Sequence, residues 1–82
     1  EIERAIASHS DIFEVAVIST SSNNENRIKA FVVSKEGLNS LQLKAYISTQ
    51  LPSYMLPDDI SFMDALPRTS SQKIDLKTLE EI

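Results

Sequence analysis

Apolar and polar positions follow two different periods along this chain, and the switches between them outline its elements. In "EIERAIASHSDI" the apolar residues Ile2, Ala5 and Ile6, with Ile12 continuing the set, recur at helical spacing. The glutamates at its start suit the positive end of a helix dipole, which predicts a helix over roughly residues 1 to 9. "DIFEVAVIST" then changes to a period of two, with Phe13, Val15 and Val17 on one face and Glu14, Ala16 and Ile18 on the other. Its β-branched residues favour a strand. "STSSNNEN" reads as a polar turn, and "RIKAFVVS" as a second strand with Ile28, Ala30 and Val32 opposite Lys29, Phe31 and Val33. The two strands form an antiparallel hairpin on this reading.

Gly37 marks the exit from the hairpin, and Ser40 is the expected N-cap of the helix "LQLKAYISTQL". Leu41, Leu43, Ala45, Tyr46, Ile47 and Leu51 supply its apolar side. Pro52 and Pro57 stop helical continuation, so the residues between them should run as extended irregular chain, with Tyr54 and Met55 expected to anchor it against the core, the alternative being that they meet another protein. "DDISFMDAL" predicts a third strand, Ile60 and Phe62 alternating with Ser61 and Met63, and Pro67 closes it. Asp75 can cap a last short helix, "LKTLEEI", with Leu76, Leu79 and Ile82 toward the core. The order α-β-β-α-β-α predicts an α+β fold: a small sheet built on an antiparallel hairpin plus a third strand, flanked by helices.

Composition narrows what such a fold can do. Eighty-two residues suit a single small domain spanning residues 1–82, with little room for a private deep active site, so the chain alone is not expected to be a complete enzyme. Hydrophobic residues at 41% and charged residues at 24% are those of a globular protein with a core. With no cysteine there is no disulfide framework, no thiolate metal site and no cysteine nucleophile, which fits a cytoplasmic location. A net charge of −4, with eight scattered basic residues, argues against nucleic acid and anionic membrane as partners. No apolar run approaches the roughly 20 residues that cross a bilayer, and the opening is too acidic for a signal peptide. Because the chain opens inside a helical pattern with no methionine, its beginning is expected to lie upstream.

Candidate chemistry is sparse. No paired catalytic carboxylates, no Ser/His/Asp set and no metal-ligand cluster stand out. His9 is expected at a helix end, its imidazolium facing the terminal carbonyls, and the serines of "STSSNN" are turn formers. One segment is left, "LPRTSSQKIDLKTL" at residues 66 to 79. Its Lys73 carries a compact cation on a flexible stem, suited to stabilising charge that shifts between carboxylate and phosphate oxygens. Thr69, Ser70 and Ser71 offer hydroxyls and N–H groups that brace a turn, and Pro67 stiffens its entry. On residue types alone, Lys73 beside Asp75 reads first as a solvated surface charge.

The same segment resembles the lysine motif that closes the C-terminal subdomain of adenylate-forming enzymes, Leu-Pro-x-Thr-x-x-Gly-Lys-Ile/Val-Asp-Arg-x-x-Leu. Leu66, Pro67, Thr69, Lys73, Ile74, Asp75 and Leu79 match, while Gln72 stands where the family has Gly and Leu76 where it has Arg. "LPSYMLP", residues 51 to 57, is similar to a Leu-Pro-x-Tyr-Met-x-Pro segment of nonribosomal peptide synthetase adenylation domains, and "EIERAIASHSDIFEVAVI" to the family's Glu-Ile-Glu helix and following strand. The resemblance implies a mobile C-terminal subdomain whose large N-terminal partner subdomain lies outside this sequence. Such an enzyme joins a small carboxylate, here an amino acid, to ATP with Mg2+, then passes the acyl group to the phosphopantetheine thiol of a carrier protein. Lys73 would be the adenylation lysine, and Pro67, Thr69, Ser70, Ser71, Gln72 and Asp75 would position its loop. No metal or cofactor is expected on this chain alone. Gln72 takes the conformations of a glycine only at a cost, and Leu76 removes a cation that would brace the loop. The competing reading is a stand-alone α+β protein-interaction module in which Lys73 has no chemical role; a nucleic-acid module would want aromatics interleaved with basic residues, whereas Phe31 lies between Ala30 and Val32.

Overall fold

A computed structural model describes residues 2–22 and 25–81. The alternating segments pair as expected: β1 (Ile12–Ser22) runs antiparallel to β2 (Glu25–Ser34), in register from Glu14 opposite Val33 to Ser22 opposite Glu25. The strands reach further into the polar segment than its composition suggests, to Ser22 on one side and from Glu25 on the other; Asn23 and Asn24 lie outside the described residues. Register shifts between Ile12 and Glu14, where Phe13 is the extra residue of a bulge. Phe13, expected on the face of Val15 and Val17, is exposed there.

A third strand, β3 (Asp59–Phe62), runs parallel to β2, giving the order β1-β2-β3. A parallel pair needs a crossover, and α2 (Ser40–Ser48) supplies it. Asn39, not Ser40, caps this helix: its Oδ1 accepts the Gln42 N–H at 2.8 Å while Gln42 Oε1 accepts the Asn39 N–H at 3.2 Å. The reciprocal pair satisfies two N–H groups that a Ser40 cap would leave open, which sets the start one residue earlier. The first helix, α1 (Ile2–Ala7), is shorter than expected, and the last, α3 (Leu76–Glu80), begins after Asp75 as its N-cap.

The sheet is covered on both faces. On the first, Ile6 of α1 and Leu43 and Ile47 of α2 pack on Ile12, Ala30 and Val32. On the second, Leu66 and Leu79 close over Ala16, Ile18 and Phe31. Each fully buried Leu or Ile stabilises the fold by about 1.5–3 kcal/mol. Among the described residues the core holds no buried polar or charged side chain. Side chains tie down further strand N–H groups: on the outer strand β1, Glu3 Oε1 accepts the Val17 N–H at 3.2 Å, and on the central strand β2, Asp58 Oδ2 accepts the Ile28 N–H at 2.7 Å just before β3 begins.

Several expectations are corrected. Between the prolines the chain makes a single 3-10 turn, Ser53–Met55, and Tyr54 is 81% exposed instead of anchored, while Met55 is half-buried. Leu41, on the outer side of α2, is 77% exposed, and Leu76 in the first turn of α3 is 48% exposed, leaving Leu79 to anchor that helix. Ile82 lies outside the described residues. The ring of His9 is engaged elsewhere than at the carbonyls of α1: its Nδ1 accepts the Asp11 N–H at 3.0 Å, and it meets Tyr46 edge-on at 4.7 Å.

Candidate functional site

The lysine segment leaves the second face at Leu66, turns, and comes back at Ile74. Leu66 is buried and Ile74 packs against the same cluster, so both ends of the turn are held by apolar contacts. Between them the backbone forms a tight hairpin. The Thr69 N–H donates to the Lys73 carbonyl at 2.8 Å, the Gln72 N–H to the Thr69 carbonyl at 2.9 Å, and the Asp75 N–H to the Pro67 carbonyl at 2.8 Å. Arg68 and Ile74 pair as an isolated antiparallel bridge. Ser70, Ser71 and Gln72 thus make a three-residue hairpin loop, a form whose last position takes the left-handed conformation. Gln72 does so, at φ +71°.

Period-two alternation then decides where Lys73 goes. With Ile74 turned inward, Lys73 is exposed, and its ammonium has no hydrogen-bond or ion-pair partner among the described residues. The Thr69 hydroxyl lies 3.0 Å from that of Ser71 across the tip. Ser70 is exposed, and Pro67 joins the turn through its carbonyl rather than through stiffness alone. Asp75 caps α3: its Oδ1 accepts the Thr78 N–H at 3.1 Å and its Oδ2 the Thr78 hydroxyl at 2.9 Å. Those bonds, led by the Thr78 N–H, hold its carboxyl below the usual aspartate value of 3.8. Seven expected residues therefore gather in one hairpin and the helix start that follows it.

Sequence reasoning missed two residues of this arrangement. Arg68 sends Nη1 to the Gln72 carbonyl at 3.1 Å and Nη2 to the carboxylate of Glu14. A cation does brace the loop, then, but it stands at position 68, not at Leu76. The signal for Glu14 was partly present: alternation puts it on the face of Ala16 and Ile18, the face that the lysine segment covers.

Another charged groove, of about 370 Å³, has Lys29, Lys44, Asp58 and Asp59 in its lining. Its acids are already engaged, Asp58 with the Ile28 N–H and Asp59 with Arg27 at 3.4 Å. Among the described residues no three His, Cys, Asp or Glu side chains gather so as to hold a metal ion. No helix among them is long and apolar enough to cross a membrane.

Residues 1–73 match the family model of the AMP-binding enzyme C-terminal domain, a match that ends on Lys73. Bacitracin synthase 3 of Bacillus licheniformis is 40% identical over 82 residues, 99% of this chain and 1% of that protein. Gramicidin S synthase 2 of Brevibacillus brevis is 37% identical over 82 residues, again 99% of this chain and 2% of the relative. The chain thus spans only 1–2% of the length of these curated relatives. In three dimensions it is similar to a fatty acyl CoA synthetase of Mycobacterium tuberculosis, at a TM-score of 0.88 and 32% identity over 99% of this chain and 16% of that one. It is also similar to Klebsiella oxytoca NpsA in complex with 3-hydroxyanthranilyl-AMSN, at a TM-score of 0.86 and 26% identity over 98% of this chain and 16% of that one. By its sequence and its fold the chain belongs to the AMP-binding enzyme C-terminal domain family of adenylate-forming enzymes.

Proposed function

We propose that this chain is the mobile C-terminal subdomain of an amino-acid-activating synthetase and delivers Lys73 to the adenylation reaction. The observation that carries the reading is the exposed Lys73, without a partner among the described residues, at the rim of a hairpin pinned at both ends by Leu66 and Ile74. A cation so placed can approach the carboxylate of an acid and the α-phosphate of ATP together. It lowers the repulsion between the two anions as the acid oxygen attacks, and it stabilises charge as the bond to pyrophosphate breaks. Pro67, Thr69, Ser70, Ser71, Gln72 and Asp75 hold the turn that aims it. The large N-terminal subdomain supplies the rest of the site in this proposal. A carrier protein then takes the acyl group on its phosphopantetheine thiol, after the subdomain has swung and withdrawn the lysine loop. Mg2+ belongs to the complete enzyme, and no residue of this chain is assigned to hold it.

The test is pyrophosphate exchange with ATP, dependent on the carboxylate substrate, in the complete enzyme that carries this chain. Lys73→Ala should lower the rate by about 100-fold or more, the usual effect of deleting one charge-stabilising donor. An unchanged rate sinks the assignment. One observation favours a second reading: Tyr54 at 81% and Leu41 at 77% exposure are large apolar side chains open to a docked protein. If the chain acts only as an interaction module, Tyr54→Ala weakens association with its partner while Lys73→Ala changes nothing.

A further inference from the structure

Gln72, the residue before Lys73, sits at φ +71°. A residue with a Cβ is disfavoured there and stays only where its surroundings hold it. The backbone bonds of the turn, Gln72 N–H to Thr69 and Thr69 N–H to Lys73, are bonds that a glycine turn makes equally well. What is added here is Arg68. Its Nη1 donates to the Gln72 carbonyl at 3.1 Å while its Nη2 engages Glu14, fixed in β1 beside the buried Ala16. One planar guanidinium therefore links the strained peptide to the sheet, a geometry a lysine ammonium cannot copy with a single point charge. The carbonyl it grips belongs to the peptide bond leading into Lys73, so gripping it fixes the direction in which the Lys73 side chain leaves the backbone.

We propose that Arg68, seated on Glu14, is a positioning residue that holds the left-handed turn at Gln72 and thereby aims Lys73, in place of the glycine that the family pattern has at this position. The consequence for catalysis rests on the adenylation reading above; the conformational claim does not. The Arg68–Glu14 pair is part-exposed, with side-chain exposures of 39% and 32%. Its effect is accordingly local, on the turn, and small on global stability.

The experiment compares Arg68→Ala, Arg68→Lys, Gln72→Gly and the Arg68→Ala/Gln72→Gly double variant in the complete enzyme. Two quantities are read: acid-dependent pyrophosphate exchange, and deuterium uptake by mass spectrometry in the peptide covering residues 66 to 76. Arg68→Ala should slow exchange by about five- to tenfold, within the range of one part-exposed hydrogen bond, and raise uptake at the amides of Thr69, Gln72 and Asp75. Arg68→Lys should recover only part of the loss. In the Gln72→Gly background, Arg68→Ala should cost less than about twofold, because glycine takes the left-handed region unaided. An equal loss in both backgrounds, or unchanged uptake in Arg68→Ala, overturns the proposal. If exchange ignores every variant including Lys73→Ala, the adenylation reading fails, and uptake alone still decides whether Arg68 holds the turn.

Discussion

The two faces of the sheet are covered in different ways. The first lies under α1 and α2, whose buried side chains Ile6, Leu43 and Ile47 form one apolar layer with Ala30 and Val32. The second is covered by the stretch from Leu66 to Leu79, with buried residues at its two ends, the half-buried Ile74 between, and a polar turn raised off the sheet. Both faces carry stability through buried apolar side chains. The second spends part of its cover on holding a charged side chain in solvent, which a helix packed flat could not do. Rigid ends with an exposed tip are what a loop needs if it is to enter and leave a site without unfolding.

The largest expected effect separates chemistry from cover. Lys73→Ala should reduce pyrophosphate exchange by about 100-fold or more, yet leave the denaturation midpoint unmoved, since its ammonium has no partner among the described residues. A shifted midpoint would mean that the lysine belongs to the cover after all. Next come the pins. Leu43→Ala and Leu79→Ala each remove a fully buried side chain, 0% and 1% exposed, and each should cost about 2–5 kcal/mol in chemical denaturation. Hydrogen exchange distinguishes them: Leu79→Ala should release the Thr69 and Gln72 amides by local opening, whereas Leu43→Ala should expose them only through global unfolding. Equal release in both variants would erase the distinction between the faces.

How legible this arrangement was in the sequence depended on the range of the interaction. The hairpin was readable because alternation is local and the two strands follow each other closely in the sequence. The cap of α2 was readable in principle from Asn39 and Gln42, three residues apart, but Ser40 beside them is an equally good capping residue by type, and only the reciprocal bonds decide. Tyr54 was misjudged for a different reason. Two flanking prolines fix the backbone there, and nothing in local pattern says which way the side chain faces. For the loop, the motif marked Lys73 and the odd Gln72, but not Arg68 with Glu14, which are 54 residues apart and meet only because the last segment folds over the second face. Which face it would cover was a tertiary fact.

Smaller effects probe the helix starts. Asn39→Ala removes the side-chain half of the capping box, the bond that Asn39 Oδ1 accepts from the Gln42 N–H, and should cost about 1 kcal/mol of stability, measured by denaturation at neutral pH. Because Asn39 does not titrate, that contribution should be the same at pH 7 and in acid. An acid-dependent cost would require another group in the first face's cap.

The corresponding cap on the second face does titrate. Asp75 is held below its usual value of 3.8, first by the Thr78 N–H and then by the Thr78 hydroxyl, because both bonds favour the carboxylate. A carboxyl whose folded value is depressed binds its proton more readily in the unfolded chain, so it adds stability above the unfolded value and loses it as pH falls. The contribution should be complete at neutral pH, begin to fall near the usual aspartate value, and vanish once the folded carboxyl is protonated. Nuclear magnetic resonance of the Thr78 amide reads this directly: its shift should titrate with Asp75 at a pH below that of an unperturbed aspartate. Asp75→Asn keeps an acceptor for the N–H but should remove the titration. Since the Asp75 N–H also donates to Pro67 at the base of the hairpin, acid should loosen α3 and the lysine loop together while leaving the Asn39 cap of α2 intact. A Thr78 shift that follows the ordinary aspartate titration, or an α2 that loosens in step with α3, would place both faces under one common acid transition.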